Sequence, residues 1–300
     1  MSANMASQKK SSFDKKYASY SAKITATKVL RTTICVLLCL LSLFPFYIMI
    51  INATRASEDI KMGLTLLPSD FFVSNWNSLM SKADGMQTNI WQAILHSAMI
   101  TVPTTILTIY FSTMTAYGIF VYRFKLRSFS WAFIMAVMMI PTQVTIIGFL
   151  KFMQDVKLVD TYWALIIPAI AAPNTVFFMR QYMQSALSLE IVEAARIDGA
   201  GELKTFNTIA LPLMRPALAT QAIFAFIASW NNLFTPSIII SSPSKITLPM
   251  FVQQLRSEQF RTDYGMVYMG LFITIIPLFI VYFILSKYIV SGVALGGVKE

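Results

Sequence analysis

A chain of 300 residues that is 56% apolar and only 13% charged has roughly half the charged fraction of a soluble domain. Its apolar residues fall in long runs, which excludes an ordinary water-soluble enzyme and makes a bilayer the surrounding solvent. The net charge of +10 sits largely beside those runs, as a positive-inside membrane protein requires, and not in a patch suited to nucleic acid.

In chain order, residues 1–28 read as a polar cytoplasmic arm, Ser- and Lys-rich and irregular up to about Ser21. A domain of six transmembrane helices follows over 29–290. Span one covers Val29–Ile51; it is too long for a signal-peptide core and lacks a small-x-small cleavage site, so it reads as uncleaved. Cys35 and Cys39, one turn apart within it, read as small packing residues and fit no disulfide or metal pattern. Span two covers Ile90–Tyr117, span three Phe129–Phe152 and span four Tyr162–Met183. Span five covers Ala217–Ile240 and span six Val267–Ile289, before a short tail, 291–300. The two larger outer segments are Asn52–Asn89 and Ser241–Tyr264, and the one sizeable inner segment is 184–216. With the N-terminus inside, sixteen of the 24 Lys and Arg fall on the inner side, among them the cluster Arg123, Lys125 and Arg127. That asymmetry places both termini in the cytoplasm.

The inner segment has its own physics. Ser188 can cap a helix, with Glu190 in its favourable first turn. Ile191, Ala194 and Ala195 form an apolar stripe at helical spacing. Asp198 and Gly199 end that helix, because glycine tolerates the left-handed conformation. A second short helix, about Glu202 to Ala210, presents Leu203, Phe206 and Ile209 or Ala210, and Pro212 stops it. The segment carries four acids against three bases, so a protein partner suits it better than lipid.

These residues resemble a known family. Glu193, Ala194 and Ala195, then Gly199, then Ile209, Leu211 and Pro212 match the EAA loop of binding-protein-dependent ABC importer permeases. The run Glu193 to Ala200, which includes Asp198, resembles the carbohydrate branch. Asn52–Arg55, Met139–Pro141, Ser229–Asn231 and the tail from Gly292 to Lys299 resemble the second permease subunit of maltose-type and multiple-sugar systems. Asn232 stands where that family often has Glu, and His96 where it often has Asn.

The resemblance implies an all-α membrane protein in a bacterial or archaeal cell membrane, with a coupling helix between spans four and five. It implies that this subunit pairs with a second permease subunit and docks an ATPase homodimer on the cytoplasmic side. An extracellular binding protein would hand over a sugar, such as an oligosaccharide, and the outer segment Ser241–Tyr264 would touch that protein. A polyol or a glycerol phosphate is the alternative solute. No Gly in the chain is followed by Lys, so the phosphate-cradling Walker A loop is absent. The chain is therefore read as non-enzymatic and without a bound cofactor, with ATP and Mg on the partner ATPase. The lone histidine has no Cys, Asp or Glu near it in sequence with which to build a catalytic or metal site. A stand-alone secondary transporter would want more spans and internal repeats, and has no use for a coupling loop.

Amides within the spans, Gln143, Asn174, Gln221, Asn231 and Asn232, could meet sugar hydroxyls or bond between helices. Trp230 and Tyr110 could stack on a sugar ring or pack, and His96 lies near the outer end of span two. The lysine and arginine asymmetry yields a direct prediction. A reporter fused after Glu300 should read cytoplasmic and one within Asn52–Asn89 external. An external C-terminal reporter would refute this topology.

Overall fold

A computed structural model describes residues 2–256 and 262–296, and every regular element among them is helical. Helix α1 runs from Ser2 to Ala53. No Gly or Pro occurs before Pro45, so the arm expected to be irregular is instead the first part of α1. Its Ala, Lys and Gln residues propagate a helix readily, and nothing in the segment breaks one. From Ile24 onward α1 is apolar on all sides and almost wholly exposed within this chain. Cys35 and Cys39 lie on that exposed surface, so the packing role expected of them is not met inside this fold.

Helices α2 (Ser57–Met62) and α3 (Phe72–Asp84) fill the next segment. Helix α4 (Ile90–Val121) starts with a reciprocal cap: Asn89 Oδ1 accepts from the Gln92 amide at 2.9 Å, and Gln92 Oε1 from the Asn89 amide at 3.0 Å. Span three is not one continuous helix. It breaks into α5 (Arg127–Met138) and α6 (Thr142–Asp155), bent by 105°. Pro141 cannot donate to Val137, and it pushes Ile140 out of the helical region. Span four is α7 (Trp163–Ile166), a tighter turn over Ile167–Ile170 and α8 (Pro173–Ala186).

Three short pieces follow: α9 (Leu189–Ile197), α10 (Glu202–Thr205) and, after a π turn over Phe206–Ala210, α11 (Leu211–Leu213). Pro212 therefore does not stop the second helix. The wider turn before it absorbs the missing Pro212 donor, and the chain bends by 83° only at Met214. Span five is also shorter than expected. Helix α12 (Arg215–Trp230) ends ten residues before the expected Ile240, and α13 (Phe234–Ile239) is separate. Pro236 cannot bond back to the Asn232 carbonyl, which stops α12 from running on. Helix α14 (Leu248–Leu255) and the long α15 (Tyr264–Gly296) complete the described chain. Tail residues 297–300 and loop residues 257–261 lie outside it. Among the described residues four helices are long and apolar enough to cross a membrane, or up to six if each bent pair is one span.

Helix α4 is central, packed against α8 and α12, while α15 packs against α12, α1 and α3. The end of the molecule where Val121 and Ala186 lie is its loop end. At the opposite end, three elements meet over buried polar groups. Asn75 Nδ2 donates to the carbonyls of Ala53 and Arg55, each at 2.9 Å. Arg55 in turn donates to Asn52 Oδ1 at 3.2 Å and to the carbonyls of Gly63 at 3.0 Å and Asp59 at 2.7 Å. The Asn52–Arg55 motif is thus a knot that ties α1 to α2 and α3. Gly265, in the first turn of α15, closes it: a Cβ there would run into Asn75 Oδ1 and meet the Arg55 carbonyl at 2.7 Å. Gly265→Ala should lower stability by about 1–3 kcal/mol, the usual cost of overpacking. Thermal unfolding in detergent measures it, and an unchanged midpoint would show that the junction is slack.

Candidate functional site

The first candidate site is the loop-end segment 188–214. Ser188 Oγ accepts from the Glu190 amide at 3.2 Å, so the expected cap is present. Gly199 adopts φ +79°, where a side chain is strained, and its added Cβ would meet nothing within 4 Å. The demand on glycine is therefore conformational and not steric.

The stripes divide differently from the expectation. Val192 and Ala195 face the protein, whereas Ile191, Glu193, Ala194, Asp198 and Gly199 are exposed. In the second half Thr205, Phe206 and Ala210 are buried, and Leu203 is 67% exposed. A helix nine residues long with only two buried positions turns a wide face outward. Ile197, at 86% exposure, caps that face.

Phe206 is the anchor. Its ring lies 5.7 Å from Tyr110 and 5.3 Å from Tyr117, two residues on the same face of α4. It joins a core with Met179, Met183, Ala210 and Met214. The Tyr110 hydroxyl donates to Asn207 Oδ1 at 3.3 Å, which ties α4 to the loop a second time. A period-based reading placed Phe206 on a stripe but had no signal for which helix receives it.

A polar clamp closes over this anchor. Arg196, from the end of α9, reaches across Gly199 to Glu202 with Nε–Oε1 at 2.9 Å and Nη2–Oε2 at 3.3 Å. The Tyr122 hydroxyl, just beyond α4, donates to the same carboxylate, and Arg196 lies over the Tyr122 ring at 5.4 Å. Burial, and then the hydrogen bond to Glu202, push the Tyr122 hydroxyl up to about 12. The phenol therefore stays a donor through the physiological range.

The second candidate site is a cavity of about 550 Å³ among α4, span four and α12. That volume suits a small organic ligand. Its polar lining includes Thr104, Thr108, Asn174, Gln221, Ser229 and Asn232. No lining residue carries a charge. Thr108 Oγ1 is used by the Ala169 carbonyl at 2.9 Å, and Asn232 Oδ1 by the Thr235 amide at 3.2 Å. Among the described residues the side chains of Asn174 and Gln221 make no hydrogen bond, and Thr104 Oγ1 is buried without a partner. Gln221 is only 9% exposed. A buried unpaired group such as Thr104 Oγ1 costs about 1–3 kcal/mol.

Three of the sequence candidates, Asn174, Gln221 and Asn232, thus come together. Others do not. Trp230 is buried, stacked on Phe226 at 5.6 Å, and its Nε1 donates to the Thr274 carbonyl at 3.0 Å. His96 packs on Tyr162 at 5.5 Å, with Nδ1 3.1 Å from the Ile246 carbonyl. Asn231 and Gln143 are exposed away from the cavity lining.

At the opposite end Asp160 organises residues 241–245. Held at φ +59°, it accepts from the Ser241 and Ser242 amides at 3.0 and 2.9 Å and pairs with Lys245 at 2.9 Å. The Ser242 hydroxyl and amide, followed by Lys245, hold its carboxyl well below the usual carboxylate range. A depressed folded value means the anchor is intact at neutral pH and is lost only as pH falls into the acid range.

The family model for the inner membrane component of binding-protein-dependent transport systems matches residues 108–294. The chain is 34% identical over 262 residues to the arabinooligosaccharides transport system permease protein AraQ of Halalkalibacterium halodurans, covering 86% of this chain and 92% of that protein. It is 30% identical to the lactose transport system permease protein LacG of Rhizobium radiobacter, covering 86% and 92%. It is 28% identical to the sn-glycerol-3-phosphate transport system permease protein UgpE of Escherichia coli, covering 83% and 90%. Its fold is similar to that of a chain in the crystal structure of a bacterial ABC transporter involved in the import of the acidic polysaccharide alginate. That likeness has a TM-score of 0.73 at 23% identity and covers 87% of this chain and 95% of the other.

The clamp can be tested without any functional assay. Arg196→Ala should speed backbone amide exchange across residues 196–203 by about fivefold, as loss of a ~1 kcal/mol exposed pair would. The charge swap Arg196→Glu with Glu202→Arg should restore much of the protection. Unchanged exchange in Arg196→Ala would show that the pair does not hold the loop.

Proposed function

The chain belongs to the family of inner membrane components of binding-protein-dependent transport systems, and from that premise we propose that it is a sugar-translocating permease subunit of an ATP-driven importer. The observation that carries the solute class is the uncharged cavity lining, with free amides at Asn174 and Gln221. Sugar hydroxyls are neutral donors and acceptors that such amides match. A phosphate would leave its charge in a site that offers no cation. The lining thus favours a neutral saccharide over a glycerol phosphate, although one relative is a glycerol-phosphate permease.

The loop-end segment supports the energy-coupling half of the proposal. Its outward face, with Glu193, Ala194 and Ile197, is shaped for a protein groove: small residues allow close approach, and the acid offers a charge. Its inward face is keyed to α4 through Phe206. A segment fixed to the spans on one side and docked to an ATPase homodimer on the other would pass nucleotide-driven closure to the cavity. In this reading the loop end is cytoplasmic, ATP and Mg stay on the ATPase, and a second permease subunit completes the pathway. An external binding protein delivers the solute at the end organised by Asp160.

Gly199→Val and Glu193→Lys test this directly. Neither residue lies in a span, so both variants should reach the membrane at normal abundance. Gly199→Val forces a side chain into the left-handed region at a cost of roughly 1–2 kcal/mol, and Glu193→Lys reverses the docking charge. Both should abolish uptake and weaken ATPase co-purification. Normal transport by Gly199→Val would overturn the coupling role.

A further inference from the structure

We propose that Arg127 and Arg180, beside Trp131, form a binding site for the phosphodiester headgroup of an anionic phospholipid. The Arg180 guanidinium lies over the Trp131 ring at 4.1 Å. Trp131 stacks on its other neighbour, Phe177, at 5.8 Å, which fixes α5 against α8. Arg127 is one helical turn before Trp131 and acts electrostatically on Arg180. Arg180 is thus held on an aromatic platform, with Arg127 near enough to act on its charge and no ion pair to either among the described residues.

The missing counter-charge is a feature of the chain. There is no Asp or Glu from 85 to 154 or from 161 to 189, which spans both helices of the site. Arg127 donates one Nη2 bond, to the Phe120 carbonyl at 3.2 Å. Arg180 Nε is buried and meets no acceptor among the described residues. None of Arg123, Lys125, Arg127 and Arg180 forms an ion pair among those residues. A planar guanidinium with an idle buried N–H suits a tetrahedral phosphate oxyanion, which accepts forked bonds.

The surroundings favour a lipid as the source of that phosphate. Arg180 sits six residues inside the end of α8, about 9 Å along the helix axis. That depth is reached by a headgroup whose acyl chains lie alongside. Phe124, Leu126 and Phe129 are exposed around the basic residues and offer those chains an apolar bed. Arg123 and Lys125 are exposed beside them and add attraction to a negatively charged leaflet. The inner-leaflet assignment rests on the proposed orientation, whereas the headgroup chemistry does not.

The test uses the whole transporter purified in detergent. Native mass spectrometry would count retained lipid after exposure to phosphatidylglycerol or phosphatidylcholine. Wild type should retain phosphatidylglycerol preferentially, and Arg180→Gln or Arg127→Gln should each weaken that retention by about tenfold. Arg180→Lys, which keeps the charge but loses the fork, should fall between. Equal retention of both lipids, or full retention in both glutamine variants, would overturn the proposal. So would displacement of the lipid by millimolar inorganic phosphate, which would mark a small-anion site. Loss of a partner subunit from the variants with lipid retention unchanged would likewise reassign the arginines to a protein carboxylate. Retention in detergent is independent of which way the chain faces, so a failed orientation reporter leaves this result standing, and the reverse holds too.

Discussion

The insertion of Phe206 between Tyr110 and Tyr117 is the contact on which the rest of the structure depends. Segment 188–214 contains only short helices, none of which would be stable alone in water. They hold shape because one aromatic ring is buried in α4 and because Met179, Met183 and Met214 close around it. The clamp among Tyr122, Arg196 and Glu202 adds little energy as an exposed pair, but it fixes the angle across Gly199. The same helix, α4, carries Thr104 and Thr108 into the cavity. In the proposed function, α4 is therefore the element through which a displacement of the loop would reach a cavity wall.

The cavity itself is made by interruptions. Pro168 and Pro173 break span four beside it, and the end of α12 at Trp230 leaves Ser229 and Asn232 at its rim. Irregular backbone within membrane depth is tolerated where it lines a polar space. The amides of Asn174 and Gln221 then remain available because no helix neighbour claims them. Their neutrality and the absence of lining charge are what make a saccharide the fitting solute in the proposed function.

Much of this was legible in the sequence, and the reasons for the misses are physical. Long apolar runs marked α1, α4, span four and α15, since hydropathy reads burial in lipid directly. Ser188, Asp198 and Gly199 marked the ends of α9, since capping and left-handed turns are local. The breaks in spans three and five were missed although Pro141 and Pro236 were in view, because a proline within an apolar run can kink a span or divide it. The structure of residues 2–28 was missed because a polar composition does not by itself oppose a helix. Of the candidate pathway residues, Asn174, Gln221 and Asn232 converge, while Trp230 and His96 serve packing. A residue type alone does not say which face of a helix it occupies. Phe206 and the clamp depend on contacts between segments some 80 to 97 positions apart, and no periodicity encodes them.

The most direct measurement of the central claim is a proximity test on the outward face of α9. In a chain with Cys35 and Cys39 replaced by Ala, Ile197→Cys should cross-link to the ATPase subunit through a short bifunctional thiol reagent in native membranes. The yield should change when ATP is bound, because in the proposed function the docked segment moves with the closing dimer. A cysteine at Ile197 that reacts freely with soluble thiol reagents yet never reaches the ATPase would contradict the account.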